Sequence, residues 1–229
     1  MQNKINGEMR MLSFAEELIL LALDDEKGNF LPMSLMSFES ALAGAILMEL
    51  ALENKIDTDL EHLILIDDSE TGDPIYDEVL QMIKQYPDSK NALYWVKEIR
   101  NKFSNLREIL TKRLVKKGIL EEKKKKILGL FPQKRYPVLN DTEEMTVKKR
   151  IRQIVLSDEI PEPRDIVIIS LIKSCGLIDQ IFSSQEIKKA SERIYQISKM
   201  DLIGQSVSKA INELQAMINS AVSFGVIRA

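Results

Sequence analysis

The sequence predicts a mainly α-helical fold: a single compact helical domain, broken at one place by a β-hairpin or projecting loop. Three observations carry this. Apolar residues recur at three- and four-residue spacing through most of the 229 residues, the period of a helix with one buried face. Helix-start signatures recur as well, either an N-cap residue with a carboxylate three positions on or a proline at the first helical position. Aromatics make up only 6% of the chain, which disfavours a large β-sandwich, and the 9 Gly and 7 Pro are too few for a collagen-like or Pro-rich disordered chain. Residues 1–11 are expected to be a flexible lead and 12–229 the domain.

The first helix is expected to start after Ser13, with Glu16 completing a capping box and Phe14, Leu18, Leu21 and Ala22 on one face. The polar stretch Asp24 to Lys27 ends it, and Gly28 suits a turn. A second helix, Ser37 to Leu52, is apolar nearly all round and therefore buried; its Ala41, Ala43, Gly44, Ala45 and Ala51 are small enough to admit another helix closely. His62-Leu63-Ile64-Leu65-Ile66 is too short an apolar run for a helix and is the best strand candidate. After the loop Asp67 to Gly72, Asp73 caps a helix with Pro74 at its first position. Helices are expected near Ile75–Gln85, Lys90–Lys102, Leu106–Lys117 and Glu121–Ile127, with Gly118 ending the third of these. From Leu128 to Leu139 two apolar arms flank a polar tip, which reads as a β-hairpin or projecting loop. Asn140 or Asp141 then caps a helix to Leu156, and helices at Ile166–Ser174, Ile178–Phe182, Gln185–Ile197 and Leu202–Val222 complete the chain.

The chemistry-bearing residues are sparse. One cysteine, Cys175, excludes an internal disulfide framework and a CxxC zinc site, and fits a reducing compartment. One histidine, His62, excludes a multi-histidine metal site. The longest uninterrupted apolar run, Leu18 to Leu23, is far short of the ~20 residues that span a bilayer. Asp67-Asp68-Ser69 lacks the spacing of a phosphotransfer pair or a calcium loop, and neither a dinucleotide fingerprint nor a phosphate loop is present. No cofactor, metal or catalytic residue is expected. Trp95 and Cys175 read as core residues.

Charge is distributed unevenly. The net charge is −3, yet residues 97–152 hold 18 Lys and Arg against 7 Asp and Glu, while the rest of the chain holds 14 against 28. Such asymmetry predicts a basic face for an anionic partner, although a run such as Lys123 to Lys126 is equally at home on a solvated helix surface.

Several stretches, taken in order, resemble the Golgi phosphoprotein 3 family. They are Glu16 to Gly28, Leu42 to Leu52, Thr71 to Glu78, Leu114 to Leu120, the hairpin region Leu128 to Pro137, and Asp165 to Leu177. Their order and spacing match over roughly residues 12–220. The resemblance implies a helical domain with a projecting hairpin and no enzymatic activity. It further implies a peripheral membrane adaptor that recognises phosphatidylinositol 4-phosphate, retains membrane-protein cargo, and self-associates through the hairpin in some members. The family's headgroup pocket uses an arginine on the second helix, where this chain has Ala43. It also uses two arginines three apart, which fall on Ser104 and Arg107. The family's tryptophan before the second helix has no counterpart among Leu31 to Ser34.

These readings converge on one expectation. The chain binds an anionic phospholipid headgroup through Arg107, with Lys102 and Lys112 nearby in sequence, and presents Lys134, Arg135 and Phe131 of the hairpin to the membrane. Three to five such cations, each worth about 1 kcal/mol near an anionic bilayer, give a reversible attachment. Leu130, Phe131 and Tyr136 are as readily explained by packing within the domain or against a partner. The expected location is cytoplasmic, peripheral on the cytoplasmic membrane face, and the Golgi in a eukaryote. The alternative is a soluble protein-interaction module that has lost the headgroup site, motivated by Ala43 and Ser104. Nucleic acid is not an expected partner, because aromatic interleaving is thin and no recognised motif appears.

Overall fold

The computed structural model describes residues 12–226 except 25–26, 60, 87–89, 128–130, 140 and 201. The lead 1–11 lies outside the described residues, as does Leu130.

Local capping dictates most of the helices. In α1 (Phe14–Leu21) the Ser13 hydroxyl accepts from Glu16 N–H and the Glu16 carboxylate accepts from Ser13 N–H, a complete capping box. Helix α2 (Leu35–Leu52) starts earlier than expected, capped by Ser34. Asp73 Oδ1 accepts from Ile75 N–H at 2.9 Å at the head of α3 (Pro74–Lys84), with Pro74 in the first turn. Asn91 caps α4 (Ala92–Lys102), and α5 (Leu106–Lys116) ends before Gly118. Helix α6 (Thr142–Leu156) follows Asp141 without the expected side-chain cap. Helix α7 (Pro163–Cys175) begins earlier than expected, with Glu162 and Asp165 forming a capping box. A single 3₁₀ turn, Ile178–Gln180, stands where a helix to Phe182 was expected. Helix α8 (Ser184–Ile197) is capped by Ser183, and α9 (Leu202–Val226) closes the domain.

Two antiparallel hairpins interrupt the helices. In the first, β1 (Ile56–Thr58) pairs with β2 (Leu63–Leu65), Ile56 opposite Leu65 and Thr58 opposite Leu63. The strand expected at His62–Ile66 is present, but its partner was not foreseen. In the second, β3 (Lys123–Ile127) pairs with β4 (Phe131–Arg135). This corrects the helix expected at Glu121–Ile127: the lysine run is the first arm of the hairpin, not a helix surface. Lys has good helix propensity, but propensity is a weak prior that non-local strand pairing overrides here.

Helix α2 is the centre of the fold, packing on α1, α4, α7 and α9. By length and composition alone it could cross a membrane, with 18 residues at mean hydropathy 1.6. Its residues Phe38 to Leu50 are instead all buried in the helical core. The small-residue stripe does what the sequence implied. A Cβ on Gly44 would stand 2.6 Å from Val207 Cγ1 of α9, so the two helices meet there at closest approach. Trp95 is 1% exposed and belongs to the core, while Cys175 is partly buried against it.

Candidate functional site

The base of the second hairpin, the start of α5 and the loop between α1 and α2 enclose a cleft of about 400 Å³. Its wall begins with a glycine. Gly28 takes φ +63°, and its carbonyl accepts from Tyr136 N–H at 2.7 Å. This contact pins the α1–α2 loop to the outgoing hairpin strand, so Asn29 and Phe30 face α5 and Tyr136. Phe30 lies edge-on to Tyr136 with ring centroids 6.3 Å apart, and tilted to Phe38 at 6.1 Å. Tyr136 is buried, so the domain itself accounts for this ring.

Arg107 enters the cleft from the first turn of α5. Its guanidinium carbon lies 4.6 Å from the Phe30 ring centroid, a cation–π contact that fixes a long side chain on a flat support. Among the described residues, its guanidinium forms no ion pair. Its backbone N–H donates to both oxygens of Glu39 at 3.3 Å. Glu39 therefore caps α5 from α2, and any anion in the cleft meets side chains rather than helix-terminal amides. Burial pushes the Glu39 carboxyl up from its ordinary range, against the opposing pull of Arg107 and Arg100. Thr111 Oγ1 donates to the Arg107 carbonyl at 2.7 Å, completing the α5 wall.

Lys134 closes the cleft from β4. Its ammonium lies 3.3 Å from Glu108 and 3.5 Å from Glu122. Glu108 is shared, because Lys112 also reaches it at 2.8 Å, and hydrogen bonds from Lys112 and then Lys134 hold its carboxyl below the ordinary range. The Asn29 amide also lines the cleft, and its oxygen position is buried without a partner. Since the two orientations of an amide are interchangeable, this group can offer an N–H₂ to an anion.

Of the residues expected at the site, the structure brings Arg107 and Lys134 into one cleft. Lys112 contributes through Glu108 without lining it. Lys102 does not join them: at the end of α4, its ammonium pairs with Glu78 of α3 at 2.5 Å. Arg135 is partly buried and does not line the cleft. Phe131 pairs with Ile127 at the far end of the hairpin, and its side chain lies outside the described part. Ala43 is fully buried in the core, and Ser104 is exposed just before α5.

The cations behind the expected basic face are in part paired with acids. Much of segment 97–152 is neutralised in place. Arg113 pairs with Asp73 at 2.5 Å, Lys117 with buried Glu16 at 2.5 Å, Lys123 with Glu121 at 2.9 Å, and Lys148 with Glu144 at 2.6 Å. Arg150 lies 3.1 Å from Glu17, and Arg152 2.5 Å from Glu186. Lys102, Arg113, Lys117, Arg150 and Arg152 meet acids supplied by other segments, which offsets part of the excess charge counted in the sequence. Sequence reasoning missed Asn29 and Phe30. The one local signal for them was the turn glycine, which placed them in a loop but not against α5.

The chain matches the family model described as Golgi phosphoprotein 3 (GPP34) over residues 14–214. It is also similar to vacuolar protein sorting-associated protein 74 of Schizosaccharomyces pombe, with 31% identity over 166 residues, covering 64% of this chain and 49% of that protein. The chain thus spans about half the length of this relative. With a family match running from the first residue of α1 into α9, across the hairpin and the Arg107 cleft, this chain belongs to the Golgi phosphoprotein 3 family.

Proposed function

We propose that the chain is a non-enzymatic peripheral membrane adaptor whose cleft holds the phosphorylated headgroup of an anionic lipid, phosphatidylinositol 4-phosphate being the lipid its family implies. The observation that carries this reading is the Arg107 guanidinium. It is supported on Phe30, forms no ion pair among the described residues, and faces a cleft shared with Lys134. A phosphate monoester there accepts charge-assisted hydrogen bonds from Arg107, and from Lys134 once it turns from Glu108.

Magnitudes limit the reading. Each cation near an anionic surface is worth about 1 kcal/mol, so the two lining the cleft supply about 2 kcal/mol, less than the three to five cations the sequence suggested. Attachment through this cleft is therefore weak and salt-sensitive, and stable residence needs a second contact such as membrane-protein cargo or the hairpin. A location on the cytoplasmic face of a membrane, and on the Golgi in a eukaryotic cell, follows from the same reading.

Vesicle co-sedimentation tests it. Phosphatidylcholine vesicles carrying phosphatidylinositol 4-phosphate should retain the chain, and phosphatidylcholine alone should not. Reversing Arg107 to Glu removes one favourable unit and adds an unfavourable one, a loss of about 2 kcal/mol or roughly 30-fold in affinity. Equal retention on neutral vesicles, or no effect of Arg107→Glu, would overturn the reading.

A second reading is favoured by Ala43 and Ser104, which leave the cleft with one arginine where the family has three. It makes the chain a soluble protein-interaction module on the same fold. In that case Arg107→Glu leaves protein partners bound while vesicle retention is absent from the outset.

A further inference from the structure

The second half of the chain contains a cavity of about 730 Å³ where the last turn of α7, the end of α8 and the first turns of α9 converge. It shares no residue with the Arg107 cleft. Three lysines line it: Lys173 from α7, Lys199 from just beyond α8, and Lys209 from α9. One acid, Glu213, also lines it, yet none of the three lysines forms an ion pair among the described residues. Lys173 Nζ donates to Ser198 Oγ at 2.8 Å and lies 4.7 Å from the Tyr195 ring centroid, and Lys199 Nζ lies 4.3 Å from the same ring. Two like charges are thus gathered on one aromatic ring. Burial holds the Lys173 ammonium below its ordinary range, and Lys199 adds to that, with Tyr195 opposing.

The hydroxyls of α9 point the same way. A serine inside a helix ordinarily donates to the carbonyl four residues back. Ser170 and Ser174 of α7 do so at 2.8 and 2.9 Å. Ser206 does not: it is 9% exposed, lines the cavity, and its Oγ is buried with no hydrogen-bond partner. Ser208 Oγ, on the same wall, is also buried and unpartnered. Buried hydroxyls left without partners beside ammonium groups that have no carboxylate partner are costly as they stand and productive around an oxyanion.

We propose that this cavity is a second binding site, for a phosphate group held by Lys173, Lys199 and Lys209 together with the Ser206 hydroxyl. Three cations against one carboxylate leave an excess of two positive charges, which suits a phosphate monoester better than a singly charged carboxylate. The volume leaves room for a larger molecule that carries the phosphate: a soluble phosphorylated metabolite or a phospholipid headgroup.

The test uses the full chain carrying Arg107→Glu, so that the first cleft cannot contribute. Inorganic phosphate is titrated in solution while the backbone amide resonances of Ser206, Ser208 and Lys209 are followed. In parallel, phosphatidylcholine vesicles with and without phosphatidic acid are sedimented with the chain. Saturable shifts with phosphate and none with chloride at equal ionic strength identify a soluble ligand. Retention only on vesicles containing phosphatidic acid identifies a lipid source. In either case Lys173→Gln, Lys199→Gln and Ser206→Ala should each weaken binding about tenfold, the low end of the range for losing a hydrogen bond to a charged group. Ser206→Ala replaces one small helical residue by another, and a melting temperature no lower than the parent's verifies that it folds. Equal responses to phosphate and chloride with no retention on acidic vesicles, or variants that bind like the parent chain, overturn the proposal.

Discussion

Two residues decide whether the first cleft exists, and only one carries a charge. Arg107 supplies the cation, but Gly28 places the ring on which it rests. At φ +63° a side chain costs about 1–2 kcal/mol on conformational grounds alone. A Cβ there would also stand 2.3 Å from the backbone nitrogen of Pro137, so the outgoing hairpin strand must move. Gly28→Ala should therefore lower stability by about 2 kcal/mol or more, shift the Tyr136 amide resonance, and reduce vesicle retention even though Arg107 is intact. Urea unfolding with resonance mapping checks this, and a variant that keeps both stability and the Tyr136 environment would show that the loop is not held by this contact. Gly28 was legible as a turn residue because a polar run closed by glycine is a local signal. Its approach to Pro137 was not, because that contact joins segments far apart in the chain.

Elements follow the same rule: what local chemistry specifies was readable, and what pairing specifies was not. The starts of α1 and α3 were evident from Ser13 with Glu16 and from Asp73 with Pro74, since caps act within one turn. The arm β3 was not, because its register sets Lys123 opposite Arg135 and Lys124 opposite Lys134, like charges across a ladder. Glu121 at Lys123, and Glu108 and Glu122 at Lys134, offset that repulsion, and Glu108 comes from a different element. The junction of α6 and α8 shows how such a pair responds to pH. Arg152, and then Ser183, hold the Glu186 carboxyl at about 2, well below its ordinary 4.5. A carboxylate depressed in the folded state stabilises fully above its unfolded value and loses that contribution as pH falls toward the folded one. Stability should therefore fall between pH 4.5 and about 2, and fall less steeply in Arg152→Gln. Glu17 and Glu39 are shifted upward by burial and act in the opposite sense. The informative measurement is therefore the difference between parent and variant in urea midpoint across that range, and parallel curves would remove Arg152 as the cause.

At the scale of the whole molecule, a buried charge cluster ties the first helices to the last third of the chain. Arg164 of α7 donates to Glu17 of α1 at 3.2 Å, to Glu49 of α2 at 3.1 Å and to the Leu12 carbonyl, and its guanidinium lies 4.3 Å from the Phe14 ring centroid. Glu17 and Glu49 are 1% and 8% exposed, so neither can turn to water if the arginine is lost. Burial raises the Glu17 carboxyl despite the pull of Arg164 and Arg150, which means desolvation already outweighs the attraction there. A cluster of this kind adds little net stability over an apolar one, but breaking it from one side strands a buried charge. Arg164→Met, which preserves much of the volume, should cost about 3–5 kcal/mol, a large share of the 5–15 kcal/mol that holds a typical domain together. Adding Glu49→Gln to that variant should recover part of the loss, because Glu17 keeps Arg150 while Glu49 is left without a cation among the described residues, and the change removes that stranded charge rather than restoring a contact. Chemical denaturation of the three chains distinguishes the two explanations: recovery in the double variant assigns the loss to unpaired charge, and further destabilisation assigns it to packing around Phe14. Because α1 and α2 carry the two ends of the loop that presents Phe30, the same tie fixes the frame on which the Arg107 cleft is built.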